Sequence, residues 1–194
     1  MFTLTTASSH SQEIKRSRFL AIAGPVADEQ AAKDFIAEHA AADANHNCWA
    51  WRIGQIYRFN DDGEPSGTAG KPILQAIDGQ ELDNVVVVVT RWFGGVLLGS
   101  GGLIRAYGGT AALCLQAAEK TKIVPMVSLA IEVQFSDLAL LKSRLSSLRD
   151  TVITAEQFIA TGAVLTLSIP AANADDTLRM ITDLTSGRAM IDRG

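Results

Sequence analysis

The chain has 194 residues, of which 47% are hydrophobic and 20% are charged; this composition excludes an intrinsically disordered protein. Its net charge of −4 is evenly divided, because residues 1–125 carry 11 basic and 13 acidic side chains and residues 126–194 carry 6 and 8. Neither part is a basic nucleic-acid module by bulk charge, so a contact with nucleic acid requires a local patch.

The two cysteines, Cys48 and Cys114, are too few for a disulfide framework and are typical of a reducing compartment. The N-terminus lacks the basic segment and long apolar run of a signal peptide. The longest apolar run is too short to span a membrane. We therefore expect a cytoplasmic protein that has no membrane partner and does not bind DNA sequence-specifically.

Hydrophobic periodicity and turn residues predict the elements of the first two thirds of the chain. Asp28 is a typical helix N-cap, and the run of valines from Val85 to Val89 predicts a strand covered on both faces. The predicted elements in chain order are a strand at 18–26, a helix at 28–42, a hairpin at 46–53 and 55–60, a loop at 61–70, a short helix at 72–77, a strand at 84–92, a loop at 93–100 and a helix at 102–118.

The pattern changes near Pro125, after which six shorter elements follow. They are a strand at 127–135, a helix at 137–148, strands at 151–158 and 161–169, a helix at 173–185 and a strand at 188–192. This βαββαβ order is typical of a ferredoxin-like domain. The sequence therefore predicts an α+β protein with an α/β domain over 1–123 and a ferredoxin-like domain over 126–194.

Two glycine-rich segments, at 61–70 and 93–102, mark the expected functional surface, because glycine lets the main chain approach a neighbour closely. The segment Gly99-Ser100-Gly101-Gly102 precedes a helix, whose free N–H groups attract anions. It lacks the lysine of a P-loop and the spacing of a dinucleotide loop. Anion binding and close packing of the helix against a strand both remain open.

Carboxylates and a histidine–cysteine pair are the other candidates for chemistry. Asp61, Asp62 and Glu64 offer oxygen ligands for a hard cation, but their spacing fails the calcium-loop pattern and suits a turn. His46 and Cys48 share a strand face, yet no further ligands complete a zinc set, and a buried structural cysteine is the simpler interpretation. We expect no metal and no cofactor.

Basic and aromatic residues near the loops could pair with phosphates and stack on bases, although six acidic residues share the segment. The candidate binding residues are Arg58, Lys71, Arg91, Trp92, Phe93, Gly94, Gly95, Gly101, Gly102 and Arg105.

Four segments together resemble the IMPACT family, in its bacterial branch: His46–Cys48, the block from Asp61 to Leu74, the stretch from Val88 to Gly95, and the stretch from Leu98 to Tyr107. Lys15, Ser17, Arg18 and Phe19 match the family's lead-in. Leu97 stands where many members have lysine, and Trp92 where tyrosine is common.

The resemblance implies an N-terminal domain similar to the second domain of a small-subunit ribosomal protein and to domain IV of elongation factor G. It implies a C-terminal domain similar to domain V of that factor. Eukaryotic members regulate translation by competing for an activator of a stress kinase, but they carry a different accessory domain, so that partner is not transferred. No catalytic residue is implied.

We therefore expect a non-enzymatic, translation-associated protein that binds RNA, the ribosome or a translation-related protein through the glycine-rich loops. The alternative is an enzyme that acts on an anionic or phosphorylated small molecule with Asp61, Asp62 or Glu64.

Overall fold

The computed structural model of the protein describes residues 1–192, and the chain divides into two compact units, the first over Met1–Ile123 and the second beginning at Val124. The first unit contains seven strands and three helices. In chain order they are β1 (Phe2–Leu4), β2 (Ser8–Ile14), β3 (Ser17–Pro25), α1 (Glu29–His39), β4 (His46–Ile53), β5 (Ile56–Asn60), α2 (Gly70–Gly79), β6 (Val85–Trp92), α3 (Ser100–Ala117) and β7 (Lys120–Lys122).

The first unit is built on a five-stranded antiparallel sheet with the order β2-β3-β6-β4-β5. Side chains alternate between the faces of a strand. Val85, Val87 and Val89 of β6 accordingly pack in the core beneath α2 and α3, whereas Val86 packs with Ala32 of α1 on the opposite face. Helices on both faces explain why five consecutive valines are all buried.

A separate two-stranded ribbon joins the beginning and the end of the first unit. Strand β1 pairs antiparallel with β7, in a register that places Phe2 opposite Lys122 and Leu4 opposite Lys120. The Leu4 side chain is buried in the main core of this unit.

The second unit has the predicted βαββαβ order with a short 3-10 helix (Ala171–Asn173) before its second helix. Its other elements are β8 (Met126–Gln134), α4 (Phe135–Ser146), β9 (Val152–Ile159), β10 (Gly162–Pro170), α5 (Ala174–Leu184) and β11 (Met190–Asp192). The sheet order is β11-β8-β10-β9, and all pairs are antiparallel. Its leucine- and isoleucine-rich core lies between this sheet and helices α4 and α5.

The predicted fold class, an α+β protein with a ferredoxin-like second part, is confirmed. Strands β1, β2 and β7 are absent from the predicted elements. Strand β2 (SSHSQEI) is a polar edge strand whose residues have low intrinsic strand preference, so its sequence resembles that of a loop. Helix α2 begins two residues before Pro72. Among residues 1–192, no helix has the length and apolar character that a membrane crossing requires.

Candidate functional site

A pocket of about 430 Å³ opens between the two glycine-rich loops of the first unit. One wall comes from residues 61–69, here called the acidic loop, and the other from residues 93–99, here called the apolar loop. The residues that line it are Asn45, His46, Glu64, Pro65, Arg91, Phe93, Leu97, Leu98, Gly99, Ser100 and Leu103. Polar groups line part of the pocket and apolar side chains the rest, a combination that suits a ligand with one polar end.

The acidic loop is organised around the Asp61 carboxylate. Its Oδ1 accepts hydrogen bonds from the backbone N–H groups of Ala69 and Gly70, at 3.0 and 2.8 Å, and its Oδ2 accepts one from Gly67, at 2.8 Å. These bonds fold the loop back on itself and satisfy amides at the beginning of α2. Asp61 therefore supports the loop and is not available to the pocket.

The Asp62 carboxylate is also bonded to the main chain. Its Oδ2 accepts a hydrogen bond of 2.6 Å from the Asn47 backbone N–H, and the N–H of Asp62 donates to Oδ1 of Asn60. Of the three acidic residues predicted as a carboxylate site, Glu64 alone lines the pocket. The three do not converge, and residues 1–192 contain no group of three or more His, Cys, Asp or Glu side chains arranged to hold a metal ion.

Glu64 forms the polar centre of the pocket. Its side chain is 4% exposed, and its Oε1 accepts hydrogen bonds from Nη1 of Arg91 and from the hydroxyl of Tyr107, both at 2.7 Å. The Arg91 guanidinium is 6% exposed and lies near the rings of Phe19 and Phe93. A buried ion pair of this kind requires hydrogen bonds to offset the loss of hydration.

His46 lies beside this ion pair and has a defined orientation. Its Nδ1 is 2.8 Å from the carbonyl oxygen of Asp62, and a carbonyl can only accept, so Nδ1 is the protonated nitrogen. Nε2 then lies 3.7 Å from Oε1 of Glu64. A neutral His46 would therefore present its unprotonated nitrogen beside Glu64.

Cys48 shares the strand face of His46 but is fully buried, and its thiol donates to the carbonyl oxygen of Asp61 at 3.0 Å. Burial raises the pKa of the Cys48 thiol to about 12. The thiolate is the reactive form of cysteine, so Cys48 is unsuited to nucleophilic catalysis. Burial likewise raises the pKa of the Tyr107 hydroxyl, which remains a proton donor to Glu64.

The apolar loop is fixed at its beginning and exposed along the rest of its length. A Cβ at Gly94 would lie 1.9 Å from the carbonyl oxygen of Arg16, so only glycine fits there, and the N–H of Gly94 donates to Ser17 Oγ. Further along, Val96 and Leu97 are exposed, Leu97 by 83%. The loop ends at Gly99, whose φ of +73° favours glycine and turns the chain into α3.

The predicted basic residues do not lie on one face. Arg91 is buried against Glu64, which separates it from a phosphate on the surface. Arg58 lies on β5, with Nε 3.9 Å from Glu29 of α1, on the opposite side of the sheet from α2 and α3. Lys71 is exposed near the beginning of α2, and Arg105 lines a smaller groove beside α3 together with Lys15.

The predicted aromatic and glycine residues are also divided between the pocket and other parts of the first unit. Phe93 lines the pocket, whereas the ring of Trp92 lies 3.7 Å from the guanidinium of Arg18. Gly94 packs against the β2–β3 turn, and Gly95 faces open space with a φ of +83°. Gly101 and Gly102 lie in the first turn of α3, directly after the pocket residue Ser100.

The predicted binding set omits His46, Tyr107 and Ser100. The register of the sheet explains the first omission, because His46 of β4 pairs directly with Arg91 of β6, a pairing that neither strand alone reveals. Helical spacing on α3 would place Tyr107 and Leu103 on one face, but it does not indicate that the hydroxyl of Tyr107 reaches Glu64.

Family models and curated relatives of this chain all indicate the same family. The family model of the Impact N-terminal domain matches residues 15–115, and a domain of unknown function, DUF1949, matches residues 131–188. An IMPACT family member of Thermus thermophilus is 44% identical over 181 residues, which are 92% of this chain and 99% of the relative.

The IMPACT family member YigZ of Escherichia coli is 33% identical, and the alignment covers 91% of this chain and 89% of that protein. A crystal structure described as that of a hypothetical protein has a TM-score of 0.78 at 32% identity and covers 98% of this chain and 95% of its own. The loops, the pocket and the second unit thus occur in a chain that belongs to the IMPACT family, with YigZ-like bacterial proteins as its relatives.

Proposed function

We propose that the protein is a translation-associated regulator that binds RNA, the ribosome or a translation-related protein through the face formed by the acidic and apolar loops. Membership of the IMPACT family fits a translation-related regulatory role. The identity of the target and the use of this face are the parts that we propose.

The observation that carries the proposal is the pocket between the loops with its exposed apolar rim. Phe93 is 43% exposed and Leu97 is 83% exposed, and both line an opening whose interior contains the Glu64–Arg91 ion pair. Exposed apolar side chains around a polar recess are typical of a surface that a partner covers.

The charge distribution of the protein favours recognition of a partner by shape and hydrogen bonding rather than by long-range electrostatic attraction. The net charge is −4, and Arg58 and Lys71 lie away from the pocket. Binding to a polyanion would therefore depend only weakly on salt, because few phosphates would be neutralised.

The test is co-sedimentation of the purified chain with ribosomes and with ribosome-free RNA, with and without RNase treatment, together with pull-down of purified translation factors. We expect binding to decrease at least about fivefold in Leu97→Ser, since it removes an apolar contact of the rim. Leu140→Ser, which changes a 54% exposed leucine of the second unit, is the matched control. Absence of binding to ribosomes, RNA and translation factors would refute the proposal, and so would equal binding by both variants.

An enzyme acting on an anionic small molecule is the second candidate, and the orientation of His46 favours it. A histidine whose Nδ1 donates to a carbonyl and whose Nε2 lies beside a carboxylate can act as a general base. In this alternative, Glu64 alone would act in place of the three predicted carboxylates. Asp61 and Asp62 are not available, because their carboxylates accept hydrogen bonds from backbone N–H groups. Turnover of a panel of phosphorylated metabolites that is lost in His46→Gln would support it, and no turnover by the native chain would exclude it for that panel.

A further inference from the structure

We infer that a basic cluster at the turn between β2 and β3 binds the phosphodiester backbone of single-stranded RNA. The basic cluster consists of Lys15, Arg16 and Arg105, none of which lines the pocket between the two loops. The inference names an RNA contact for the proposed function and in that respect rests on it. Three observations carry it: a local excess of positive charge, the lack of acidic partners, and the conformation of the turn.

The first observation is a local excess of positive charge in a chain whose net charge is −4. Residues 1–27 contain β2 and β3, and residues 93–118 contain the apolar loop and α3, which packs on both strands. Together these two segments have four basic side chains and one acidic side chain, a net charge of +3: Lys15, Arg16, Arg18, Arg105 and Glu13. The local charge is therefore opposite in sign to that of the whole chain.

The fold brings Lys15 and Arg105 together although they lie far apart in the sequence. Both line a groove of about 170 Å³ beside α3, whose other lining residues are Ile14, Leu98, Gly102 and Ala106. None of these six residues is acidic. Arg16 follows Lys15 in the turn, and its main chain lies against Gly94 of the apolar loop. The three cations are therefore neighbours in the folded chain and border the apolar loop.

The second observation is that the cations of the basic cluster have no acidic partner. All three are exposed, and within residues 1–192 none of their side chains forms a hydrogen bond or an ion pair. The nearby carboxylate of Glu13 lies directly opposite Arg18 in the ladder of β2 and β3. In contrast, Arg52, Arg91 and Arg188 each pair with a carboxylate. Exposed like charges without partners repel one another, and an anionic ligand would relieve that repulsion.

The third observation is the conformation of the turn. Ile14 pairs with Ser17, so Lys15 and Arg16 form a two-residue hairpin loop, and their φ values are 46° and 67°. Positive φ at both positions is typical of a type I′ turn, in which Asn-Gly is strongly preferred and bulkier side chains are strained. Two long basic side chains thus occupy positions where other residues would give a more stable protein. Strain of this kind indicates that the side chains themselves have a function.

An aromatic side chain beside the basic cluster favours RNA over an acidic protein as the anionic partner. Phe93 directly precedes Gly94, against which Arg16 packs, and the Phe93 side chain is 43% exposed. Proteins that bind single-stranded nucleic acid combine cations that follow the backbone with aromatic rings on which bases stack. An RNA strand that passes from the basic cluster to the apolar loop would place phosphates at the cations and a base at Phe93.

The experiment measures binding of a labelled single-stranded RNA of about 20 nucleotides to the purified chain, by fluorescence anisotropy at salt concentrations from about 50 to about 200 mM. Three phosphate contacts predict a slope of about −2 when the logarithm of the binding constant is plotted against that of the salt concentration. The pocket between the loops predicts a much flatter slope by itself, because Arg58 and Lys71 do not line it.

Two double variants separate the charge of the turn from its conformation. Lys15→Gln with Arg16→Gln removes two cations, so the slope should flatten to about −0.7 and the affinity at about 50 mM salt should decrease at least about tenfold. Lys15→Asn with Arg16→Gly removes the same cations and supplies the preferred turn residues. It should lose binding to the same extent while its melting temperature rises by about 2–4 °C. A loss of binding in a more stable protein is separate from unfolding.

A single variant and a control complete the set. Arg105→Gln removes the cation that α3 contributes, and the slope should become about −1.4. The matched control is Arg144→Gln with Arg149→Gln, which removes two exposed cations from the second unit. Its affinity should stay within about threefold of the native chain. Equal losses in the control and in the two turn variants would overturn the inference, because net charge alone would then explain the binding.

The inference is also overturned if the RNA does not bind, or if polyglutamate of equal charge competes as well as unlabelled RNA, which would assign the basic cluster to an acidic protein. Ribosome or factor binding that is lost in Leu97→Ser but kept in both turn variants would preserve the proposed function and overturn this inference. RNA binding that requires the turn but not Leu97 would support this inference and overturn the pocket face as the binding surface.

Discussion

The acidic loop and the apolar loop are both rich in glycine and both lead into a helix, yet they satisfy their backbone groups in opposite ways. In the acidic loop, the Asp61 carboxylate accepts three backbone N–H groups, including that of Gly70 at the beginning of α2. In the apolar loop, the beginning of α3 has no such side-chain acceptor. The acidic loop is therefore held in place by its own carboxylate, whereas the apolar loop leads into α3 without a capping side chain.

The largest effect is expected at Glu64, which joins the acidic loop to Arg91 of β6 and Tyr107 of α3. Glu64→Ala leaves Arg91 as a buried, uncompensated charge and should lower the free energy of unfolding by about 3–5 kcal/mol. Urea denaturation measures the change. Glu64→Gln keeps an oxygen acceptor for Tyr107 and should cost less. A loss below about 1 kcal/mol in Glu64→Ala would show that the ion pair does not hold the acidic loop to β6.

The next largest effect tests the support within the acidic loop. Asp61→Ala leaves the amides of Gly67, Ala69 and Gly70 without their acceptor, so the free energy of unfolding should decrease by about 2–4 kcal/mol. Asp62→Ala removes a single bond to the Asn47 amide and should cost about 1 kcal/mol. Equal losses in urea denaturation would contradict the central role of Asp61.

Alanine substitutions at the glycines of the apolar loop should differ in how much they destabilise the protein, according to what surrounds each glycine. Gly94→Ala forces a methyl group into the Arg16 main chain and should destabilise the protein by about 2–3 kcal/mol. At Gly95 the added methyl meets open space, so the strain of a positive φ alone should cost about 1 kcal/mol. Thermal unfolding of the two variants separates them, and the reverse order would mean that the loop is not fixed at Gly94.

A smaller effect on stability is expected from Cys48 of β4, whose thiol donates a hydrogen bond to the carbonyl oxygen of Asp61 in the acidic loop. The pKa of its thiol is raised by burial to about 12 from 9.0, so the folded state keeps a proton that the unfolded state loses as pH rises above 9. Stability is then fully retained below pH 9 and should fall by about 1 kcal/mol by pH 10. Burial also raises the pKa of Cys114, which adds to the decline. Cys48→Ala should make the decline with pH shallower, and an unchanged profile would contradict this assignment.

The smallest effect on stability is expected at the exposed end of the apolar loop. Leu97→Ser should change the free energy of unfolding by no more than about 0.5 kcal/mol, because the side chain is 83% exposed. The loss of partner binding proposed for this variant would then be separate from folding. A drop in melting temperature comparable to that of Gly94→Ala would instead make Leu97 part of the core.

The sequence predicts the position of both loops, since turn residues and the buried strand β6 are local signals. It does not predict which carboxylate enters the pocket. That choice depends on the backbone after Asp61, where Asp62 and Gly63 adopt positive φ values of 42° and 83° and reverse the chain before Glu64. Side-chain direction in such a turn follows from dihedral angles that a residue pattern does not specify.

The polar centre of the pocket depends on partners that are distant in the chain. Arg91 meets Glu64 across 27 positions, and Tyr107 meets it across 43. Strand register and the packing of α3 on the sheet bring them together, and neither is a local property. The basic residues illustrate the reverse case, since Arg58 and Arg91 are close to the loops in sequence but lie in different environments in the fold.

The pairing of β1 with β7 has a consequence for the order of events during synthesis. Leu4 is made more than a hundred residues before its ladder partner Lys120. At about 5–20 residues per second, this leaves β1 without its partner strand for roughly ten seconds. The hairpin of β2 and β3 can form early, whereas the first unit is completed only when its last strand leaves the exit tunnel.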